Sequence, residues 1–509
     1  MVARAPLNIF DEGLYLTMAR FAGLHRVAYR DFWTLYGPGT AVIGPIVNLL
    51  FGRDLLAQRF AGFLVLLILV AGIYRLAFLY ANCWVSVVVA SAVGTVSTPP
   101  HHFTEAFASV TWGLVFVHGS LPADTEGTAS RLWLGFALIG LSFFGRYEFS
   151  LVSALLLIAM AIYLRPLVDR SALRRAVLAG MAPSIAFLTL LLLMVPGPTL
   201  SENFIRYPFS YYAKAVCRGL PTPWRESFSA VVAPLHHGYW NGRDIVLIFG
   251  NFLSAVLGIA LVAVVLVSWR HRKPRNCIFL FIGLLDLTLF FEMRPRSGGS
   301  PAPAVPFTLV SVLILTHLAG RRQLRPARWA AVAFALALAA PIVTSTKSSL
   351  RFWTDWPAYD RVLGFTSGTP EYNFYAPSVL DPIRATVNRY TRPHDPIFVA
   401  LRQNRGHFAN AAALYWVLDR PPVSRFIEFD PCLTDRNDVQ RRIIADLWRT
   451  DVVVESSFFP HAPFSSEASV LDDYLSREFA LVKESLLPSG FDEYFVLVRR
   501  TRLGSTGPR

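Results

Sequence analysis

Hydrophobic positions form long runs over the first two thirds of this chain and short alternating segments over the last third. Ten of the runs predict membrane-crossing helices, and because several are short for a bilayer we expect some of these helices to be tilted or broken. The predicted spans are residues 57–80, 83–98, 101–120, 131–145, 149–164, 174–195, 244–268, 277–292, 303–319 and 329–344. The pattern therefore predicts a polytopic α-helical membrane domain over residues 1–345.

Residues 346–509 have the composition of a water-soluble domain and alternate strand-like with helix-like segments. In one of the helix-like segments, Val439, Ile443 and Leu447 recur at helical spacing. Alternation of this kind predicts a small layered α/β domain. The predicted strands are 396–401, 423–429, 451–455 and 493–498, and the predicted helices are 408–418, 438–448 and 469–479.

The charge composition supports a membrane as the solvent of the first domain. Of the 509 residues, 54% are hydrophobic and 16% are charged, whereas soluble chains carry about 25% charged residues. The net charge is +14, and much of the excess lies in short loops such as 270–275 and 321–328. Lysine and arginine in short loops mark the cytoplasmic side of a membrane protein. The positive charge therefore reflects topology, and the sequence predicts no nucleic-acid partner.

The basic loops 165–175, 269–276 and 320–328 fix the predicted orientation, because they belong in the cytoplasm. Alternation then places both chain ends and the α/β domain outside, in a multi-pass protein of the cell (inner) membrane. The acidic loop 121–130 falls in the cytoplasm in this scheme and disagrees with it. Because the N-terminus is predicted outside and has no leading apolar run, we expect one further helix upstream of Met1 and about 10–11 spans in all.

Polar residues gather at the predicted outer face in four clusters, of which the first holds the Asp11-Glu12 pair and the Arg30-Asp31 pair. Carboxylates near a membrane interface cost free energy unless they are paired or solvated, so they tend to mark a site. Asp11, Glu12 and Asp31 are candidate general bases for an acceptor hydroxyl. A solvated turn beside the membrane is the alternative interpretation.

The second cluster is Pro99–Glu105, where His101 and Glu105 lie one helical turn apart. Together with His102 they favour a site that holds a metal or positions a phosphate. Two histidines and one glutamate on a short segment do not complete a metal site. A structural helix cap is the alternative.

The third cluster is the hairpin Arg146-Tyr147-Glu148 between two predicted spans. Its short loop holds Arg146 near the membrane plane, where a guanidinium can bind a lipid phosphate through two parallel hydrogen bonds. The alternative is a contact of Arg146 with Glu148 or with a lipid headgroup and no catalytic role.

The fourth cluster is the long outer loop 196–243, in which basic residues such as Arg206 and Lys214 alternate with aromatic ones. Cations mixed with aromatic rings at an interface suit an anionic headgroup and the face of a lipid or sugar. Arg294, in the last outer hairpin, joins this cluster. An ordinary interfacial belt has the same composition.

In their order, these motifs resemble the outer loops of the C-class (GT-C) membrane glycosyltransferases, which include bacterial protein O-mannosyltransferases and aminoarabinose transferases. The Asp-Glu pair, followed by Tyr-Arg-Asp-Phe at 29–32 and by Gly37-Pro38, resembles the first outer loop. The 146–148 hairpin and the stretch 293–306 resemble later loops. The resemblance covers most of residues 8–345. Each motif is short and by itself a weak indication of this family. The order of the motifs and their common position on the outer face are a more specific indication.

The resemblance implies a GT-C-like fold and transfer of a hexosyl or pentosyl group from a polyprenyl-phosphate sugar to a hydroxyl of a glycan, lipid or protein acceptor. It implies Asp11 as the base with Glu12 beside it, and Glu105 as a second acid where the family more usually has aspartate. Arg146 would bind the lipid phosphate. No cofactor is required in this scheme, and a divalent metal is compatible with it. The residues predicted to bind substrate are Arg30, Asp31, His101, His102, Arg146, Glu148, Arg206, Lys214 and Arg294.

Two other functions fit parts of the pattern: a transporter or flippase of a lipid-linked saccharide, and an inactive scaffold related to the transferases. A transporter is expected to place polar groups near mid-membrane and to show inverted repeats. Few charged residues fall inside the predicted spans, the main ones being Arg75, Glu105 and Asp286, and no repeat is evident. The sequence therefore favours a transferase.

Overall fold

A computed structural model of the chain describes most of both predicted domains. The described residues are 11–23, 26–34, 37–52, 55–96, 102–121, 131–145, 148–206, 242–269, 273–296, 305–321, 377–402, 411–427, 429, 433–434, 436–456, 469–486 and 493–503.

The first part of the chain forms a bundle of helices. They are α1 (Asp11–Gly23), α2 (Pro38–Phe51), α3 (Leu55–Phe78), α4 (Cys83–Val96), α5 (His102–Ser120), α6 (Leu132–Gly140), α7 (Glu148–Leu164), α8 (Arg170–Met194), α9 (Gly197–Ser201), α10 (Gly242–Val267), α11 (Cys277–Arg296) and α12 (Val305–Arg321). Each predicted span from 57–80 to 303–319 coincides with one of these helices, and the predicted span 329–344 lies outside the described residues.

Large apolar side chains cover the outside of this bundle. Leu193 is 81% exposed and Val267 85% exposed, and similar residues recur along α3, α4 and α8. A surface of this kind is stable against lipid and not against water. Among the described residues, Ala57–Phe78 and Arg170–Met194 are each long and apolar enough to cross a membrane, and six further apolar helices are shorter. The predicted helical character of this domain is thus confirmed, while its polytopic arrangement and the number of spans are confirmed only in part.

Helices α1 and α2 form where the hydrophobic pattern predicted no helix. Proline at the first position of α2 suits a helix start, because its missing N–H would have no partner there. With 13 residues, α1 is too short to cross a bilayer. Its Leu14, Leu16 and Phe21 are buried in the core of the C-terminal domain. The segment that carries Asp11 therefore packs against residues almost 400 positions away in the sequence.

The C-terminal domain is a four-stranded sheet with helices, as predicted. Its elements are α13 (Pro377–Tyr390), β1 (Phe398–Leu401), α14 (Ala413–Val417), α15 (Asn437–Leu447), β2 (Val452–Ser456), α16 (Val470–Glu478), β3 (Phe479–Leu486), β4 (Glu493–Arg499) and α17 (Arg500–Leu503). The strand order is β1-β2-β4-β3; the first pair is parallel and the other two pairs are antiparallel.

One predicted strand does not form in the described residues, and one strand that was not predicted does. The segment 423–429 is not a strand, because only the neighbouring Pro422 forms an isolated bridge with Ile397. Strand β3 was not predicted, since it follows α16 directly and contains no turn residue that separates the two. The predicted domain boundary near residue 345 lies outside the described residues and stays a prediction.

Candidate active site

Residues that belong to, or lie next in sequence to, three of the four polar clusters meet at one end of the bundle. The backbone N–H of Gly37, which precedes α2, donates a hydrogen bond to the carbonyl of Gly145 at 3.1 Å. A Cβ added at Gly39 would lie 2.5 Å from Oε2 of Glu105 and 2.6 Å from the carbonyl oxygen of Phe144. The Gly37-Pro38 segment, Glu105 and Gly145, the residue that precedes the 146–148 hairpin in the chain, are thus brought together. We call this end of the bundle the Glu105 end.

The carboxylate of Glu105 is placed in the first turn of α5. Its Oε2 atom is buried, and no group in the described part of the chain donates a hydrogen bond to it. A buried carboxylate oxygen without a partner costs free energy, although the helix N-terminus offsets part of that cost. The arrangement therefore suits a carboxylate that meets a proton, a cation or a substrate group.

Helix α1 passes beside this carboxylate. Burial raises the pKa of the Tyr15 phenol, and the negative charge of Glu105 raises it further, so the phenol is within electrostatic range of Glu105. Asp11 precedes Tyr15 by four residues, which is about one helical turn. The side chains of Asp11 and Glu12 lie outside the described residues, and the backbone places both in the first turn of α1.

Arg30 and Asp31 pair with each other. Arg30 Nη2 donates to Asp31 Oδ2 at 2.8 Å, and the backbone N–H of Val27 donates to the same oxygen at 2.7 Å. The hydrogen bond from Arg30 is the main cause that lowers the pKa of the Asp31 carboxyl. A carboxylate stabilised in this way is a weak proton acceptor. The geometry thus favours the Asp11-Glu12 pair over Asp31 as the source of a base.

The start of the long loop, which belongs to the fourth cluster, packs on the same region. Asn203 Nδ2 donates to the carbonyl of Tyr29 at 3.2 Å, and the rings of Phe204 and Tyr29 lie 4.9 Å apart. Arg206 is exposed at the end of this segment. Lys214 lies outside the described residues.

The remaining predicted site residues are placed by the backbone alone. His102 begins α5 and Glu148 begins α7, both at the Glu105 end, and Arg294 lies in the last turn of α11. The rings of Phe107 and Phe307 stack edge to face at 5.1 Å, which puts the start of α12 at this end as well. The side chains of His102, Glu148 and Arg294, and the whole of His101 and Arg146, lie outside the described residues.

Sequence analysis did not single out Tyr15 and Gly39, which complete this arrangement. The glycine is required because any side chain would collide with Glu105 and with the backbone at Phe144. Its position directly after Gly37-Pro38 was the only local signal. No local feature of the sequence pointed to Tyr15, because its environment depends on tertiary packing.

No metal cluster is formed by the described ranges of the chain, in which no group of three or more histidine, cysteine, aspartate or glutamate residues could hold an ion.

The comparisons with known proteins bear on the fold. No family model and no curated protein sequence matches the chain. The oligosaccharyltransferase of Archaeoglobus fulgidus, solved in complex with Zn and sulfate, is 13% identical, has a TM-score of 0.51, and is matched over 96% of this chain and 69% of that chain. ArnT from Cupriavidus metallidurans, solved with undecaprenyl phosphate, is 14% identical, has a TM-score of 0.47, and is matched over 99% and 96% of the two chains.

The likeness to the archaeal oligosaccharyltransferase extends over nearly the whole chain, including the helical bundle and the C-terminal domain. The chain therefore has the fold of the C-class (GT-C) membrane glycosyltransferases, and the fold implied by the sequence motifs is confirmed.

Proposed function

We propose that this protein is a glycosyltransferase that moves a sugar from a polyprenyl-phosphate carrier to a hydroxyl of a glycan, lipid or protein acceptor, on the extracytoplasmic side of the membrane. The observation that carries the proposal is the contact of Gly39 with Glu105 and Phe144, beside α1. It supports a single site for an acidic pair, a buried carboxylate and an arginine hairpin that are far apart in the sequence.

The proposed reaction needs a base and fixed cations. Asp11, with Glu12 beside it, accepts the proton of the acceptor hydroxyl while that oxygen bonds to the anomeric carbon. The bond from the anomeric carbon to the phosphate oxygen breaks, and the polyprenyl phosphate leaves with the bonding electron pair. Arg146 stabilises the negative charge that grows on the phosphate. Arg206, Lys214 and Arg294 are further cations proposed for the headgroup.

A divalent cation fits the buried Oε2 of Glu105, which meets no hydrogen-bond donor in the described residues. Glu105 would then be one of its ligands, with Asp11 or Glu12 as candidates for another. When bound, the cation would neutralise part of the phosphate charge.

The proposal is tested with membranes that contain the protein and membranes that lack it, each given radiolabelled polyprenyl-phosphate sugars. We expect label to pass from the lipid to an acceptor only where the protein is present. If no polyprenyl-phosphate sugar supports transfer above the level of the control membranes, the proposed activity is wrong.

Replacing Glu105 with glutamine should lower kcat/KM for transfer by roughly 100-fold, because an uncharged amide does not accept a proton and binds a cation more weakly than a carboxylate does. Glu105→Asp is the matched control and should retain most of the activity, since it keeps the charge. Initial rates over a range of donor concentration measure both variants. A fully active glutamine variant would exclude Glu105 from the reaction.

A transporter of a lipid-linked saccharide is the second candidate, and Asp286 is the observation that favours it. Asp286 is fully buried in α11, where Ser311 hydrogen-bonds to Oδ2, and no described residue bonds to Oδ1. Ionisable groups inside a membrane often mark a transport pathway. A packing role between α11 and α12 explains the same contact.

An assay of the wild-type protein and of Asp286→Asn in detergent separates these two functions, because detergent leaves no compartments and transport cannot contribute. For a transferase we expect the covalent product to form at a rate within about 2-fold of wild type, because the amide still offers Ser311 an acceptor. A transporter would form no covalent product in detergent with either protein, and that result would favour the second candidate.

A further inference from the structure

One face of α1 is fitted closely to the C-terminal domain. A Cβ added at Gly13 would lie 2.5 Å from the backbone nitrogen of Ala413. One turn later, Thr17 Oγ1 donates a hydrogen bond to the carbonyl of Ala412 at 2.9 Å. A helix advances by about 100° per residue, so residues 13, 17 and 20 lie along one side of α1. This side rests on the backbone at the start of α14.

Arg20 ends this face, where its buried guanidinium pairs with the half-exposed carboxylate of Asp419. The residue is 5% exposed, its Nη1 donates to the carbonyl of Tyr415 at 2.9 Å, and its Nη2 lies 3.0 Å from Oδ1 of Asp419. A buried guanidinium is costly unless its partners are held in place. The ion pair therefore fixes the position of α1 along its helix axis, and its rotation about that axis, relative to the C-terminal domain.

The opposite face of α1 looks towards the bundle. The Tyr15 phenol is within electrostatic range of Glu105, and Ala19 packs so closely on Gly44 of α2 that a Cβ added at Gly44 would lie 2.4 Å from the Cβ of Ala19. Positions 15 and 19 are about half a turn away from positions 13, 17 and 20. Helix α1 is thus held between the C-terminal domain and the Glu105 end.

The chain that follows α1 is tied to the same domain. The backbone N–H of Trp33 donates to the carbonyl of Arg425 at 2.9 Å, and Arg425 Nη2 donates to the carbonyl of Tyr29 at 3.4 Å. Glu202, beside Tyr29 in the bundle, pairs with Arg442 of α15 at 3.3 Å. The domain therefore contacts the described residues of this segment at several points between Gly13 and Trp33.

We propose that the C-terminal domain positions the proposed base. Its contacts with Gly13, Thr17 and Arg20 fix the rotation of α1 and its position along the helix axis. The first turn of α1, which carries Asp11 and Glu12, is thereby placed at the Glu105 end. Gly13 and Arg20 are positioning residues in this account. The inference rests on the proposed function, because it assigns a catalytic consequence to the fit of α1. It gives the C-terminal domain a role in the chemical step that is separate from acceptor binding.

The test uses Gly13→Ala in the full-length protein, with Gly119→Ala as the matched control, because a Cβ at Gly119 meets no atom within 4 Å. The added methyl group at position 13 forces α1 away from Ala413. We expect kcat for transfer to fall by at least 10-fold while KM for the donor changes by less than 2-fold. The control should keep both constants.

A second variant keeps the inference testable if Gly13→Ala does not fold. Asp419 is half exposed, so Asp419→Asn weakens the ion pair with Arg20 without opening the core. We expect kcat to fall by about 3- to 10-fold at an unchanged KM. A folded variant, Gly13→Ala or Asp419→Asn, whose kcat equals that of the wild type would overturn the inference. If the wild-type protein itself transfers no sugar in this assay, the proposed function is overturned instead.

Discussion

Replacing Asp11 with asparagine is expected to lower sugar transfer by about 10²- to 10⁴-fold, which is the usual contribution of a general base. Asparagine has nearly the same shape as aspartate but cannot take the proton of the attacking hydroxyl. The measurement is the initial rate of label transfer from a polyprenyl-phosphate sugar, with donor binding followed in parallel. Donor binding should remain, since the phosphate contacts are proposed for other residues.

Asp381→Asn is the matched control for this variant, because Asp381 is an exposed carboxylate of the C-terminal domain. It should transfer sugar at the wild-type rate. Normal transfer by the Asp11 variant would remove Asp11 from the mechanism, and a rate that falls only in Glu12→Gln would move the role of base to the neighbouring residue.

The second large effect is expected at Arg146. Arg146→Ala should lower kcat by roughly 10²- to 10³-fold, because it removes a fixed cation from the phosphate that gains charge as the bond breaks. Arg146→Lys should recover part of the loss, since an ammonium keeps the charge but not the two parallel hydrogen bonds. The rates of both variants are compared at saturating donor.

Arg165→Ala is the control for Arg146, because Arg165 is an exposed arginine at the opposite end of α7. It should leave kcat unchanged. Equal transfer by the Arg146→Ala variant and by wild type would exclude the phosphate role, and the cations of the long loop would then be the remaining candidates.

The hydrophobic pattern predicted the helices of the bundle because lipid constrains each helix through its own sequence. Each membrane-embedded helix must satisfy its own backbone, so its apolar run is visible in the sequence. The runs at 57–80 and 174–195 accordingly coincide with Leu55–Phe78 and Arg170–Met194. In the C-terminal domain the same kind of local pattern located β2 and α15, whose apolar positions repeat at strand and helix spacing.

Helix α1 could not be predicted in this way. Its apolar residues face a partner that lies far away in the sequence, as in the hydrogen bond from Thr17 to Ala412. Because α1 is short, it also lacks the long apolar run that predicts a membrane-crossing helix. The pattern placed Asp11 in a loop, whereas the structure places it at the start of a buried helix.

The candidate site was predictable in outline. The order of the motifs and the alternation of the spans put Glu105 and the Arg146 hairpin on one side. The structure brings Gly39 against Glu105 and Phe144, and the placement of Arg146 itself stays a prediction. The pairing of Arg30 with Asp31 and the approach of Tyr15 to Glu105 were not predictable. Both depend on rotamers and packing that a linear pattern does not encode.

The proposed mechanism requires that Asp11 and Arg146 meet at one non-cytoplasmic boundary of the membrane. It is tested most directly by the variants Asp11→Cys and Arg146→Cys, made singly in a protein whose four native cysteines are replaced by serine, and labelled in intact cells with a membrane-impermeant maleimide. We expect both positions to react before permeabilisation, while Arg174→Cys, near the start of α8 on the predicted cytoplasmic side, reacts only afterwards. Reaction of positions 11 and 146 from opposite sides of the membrane would contradict it.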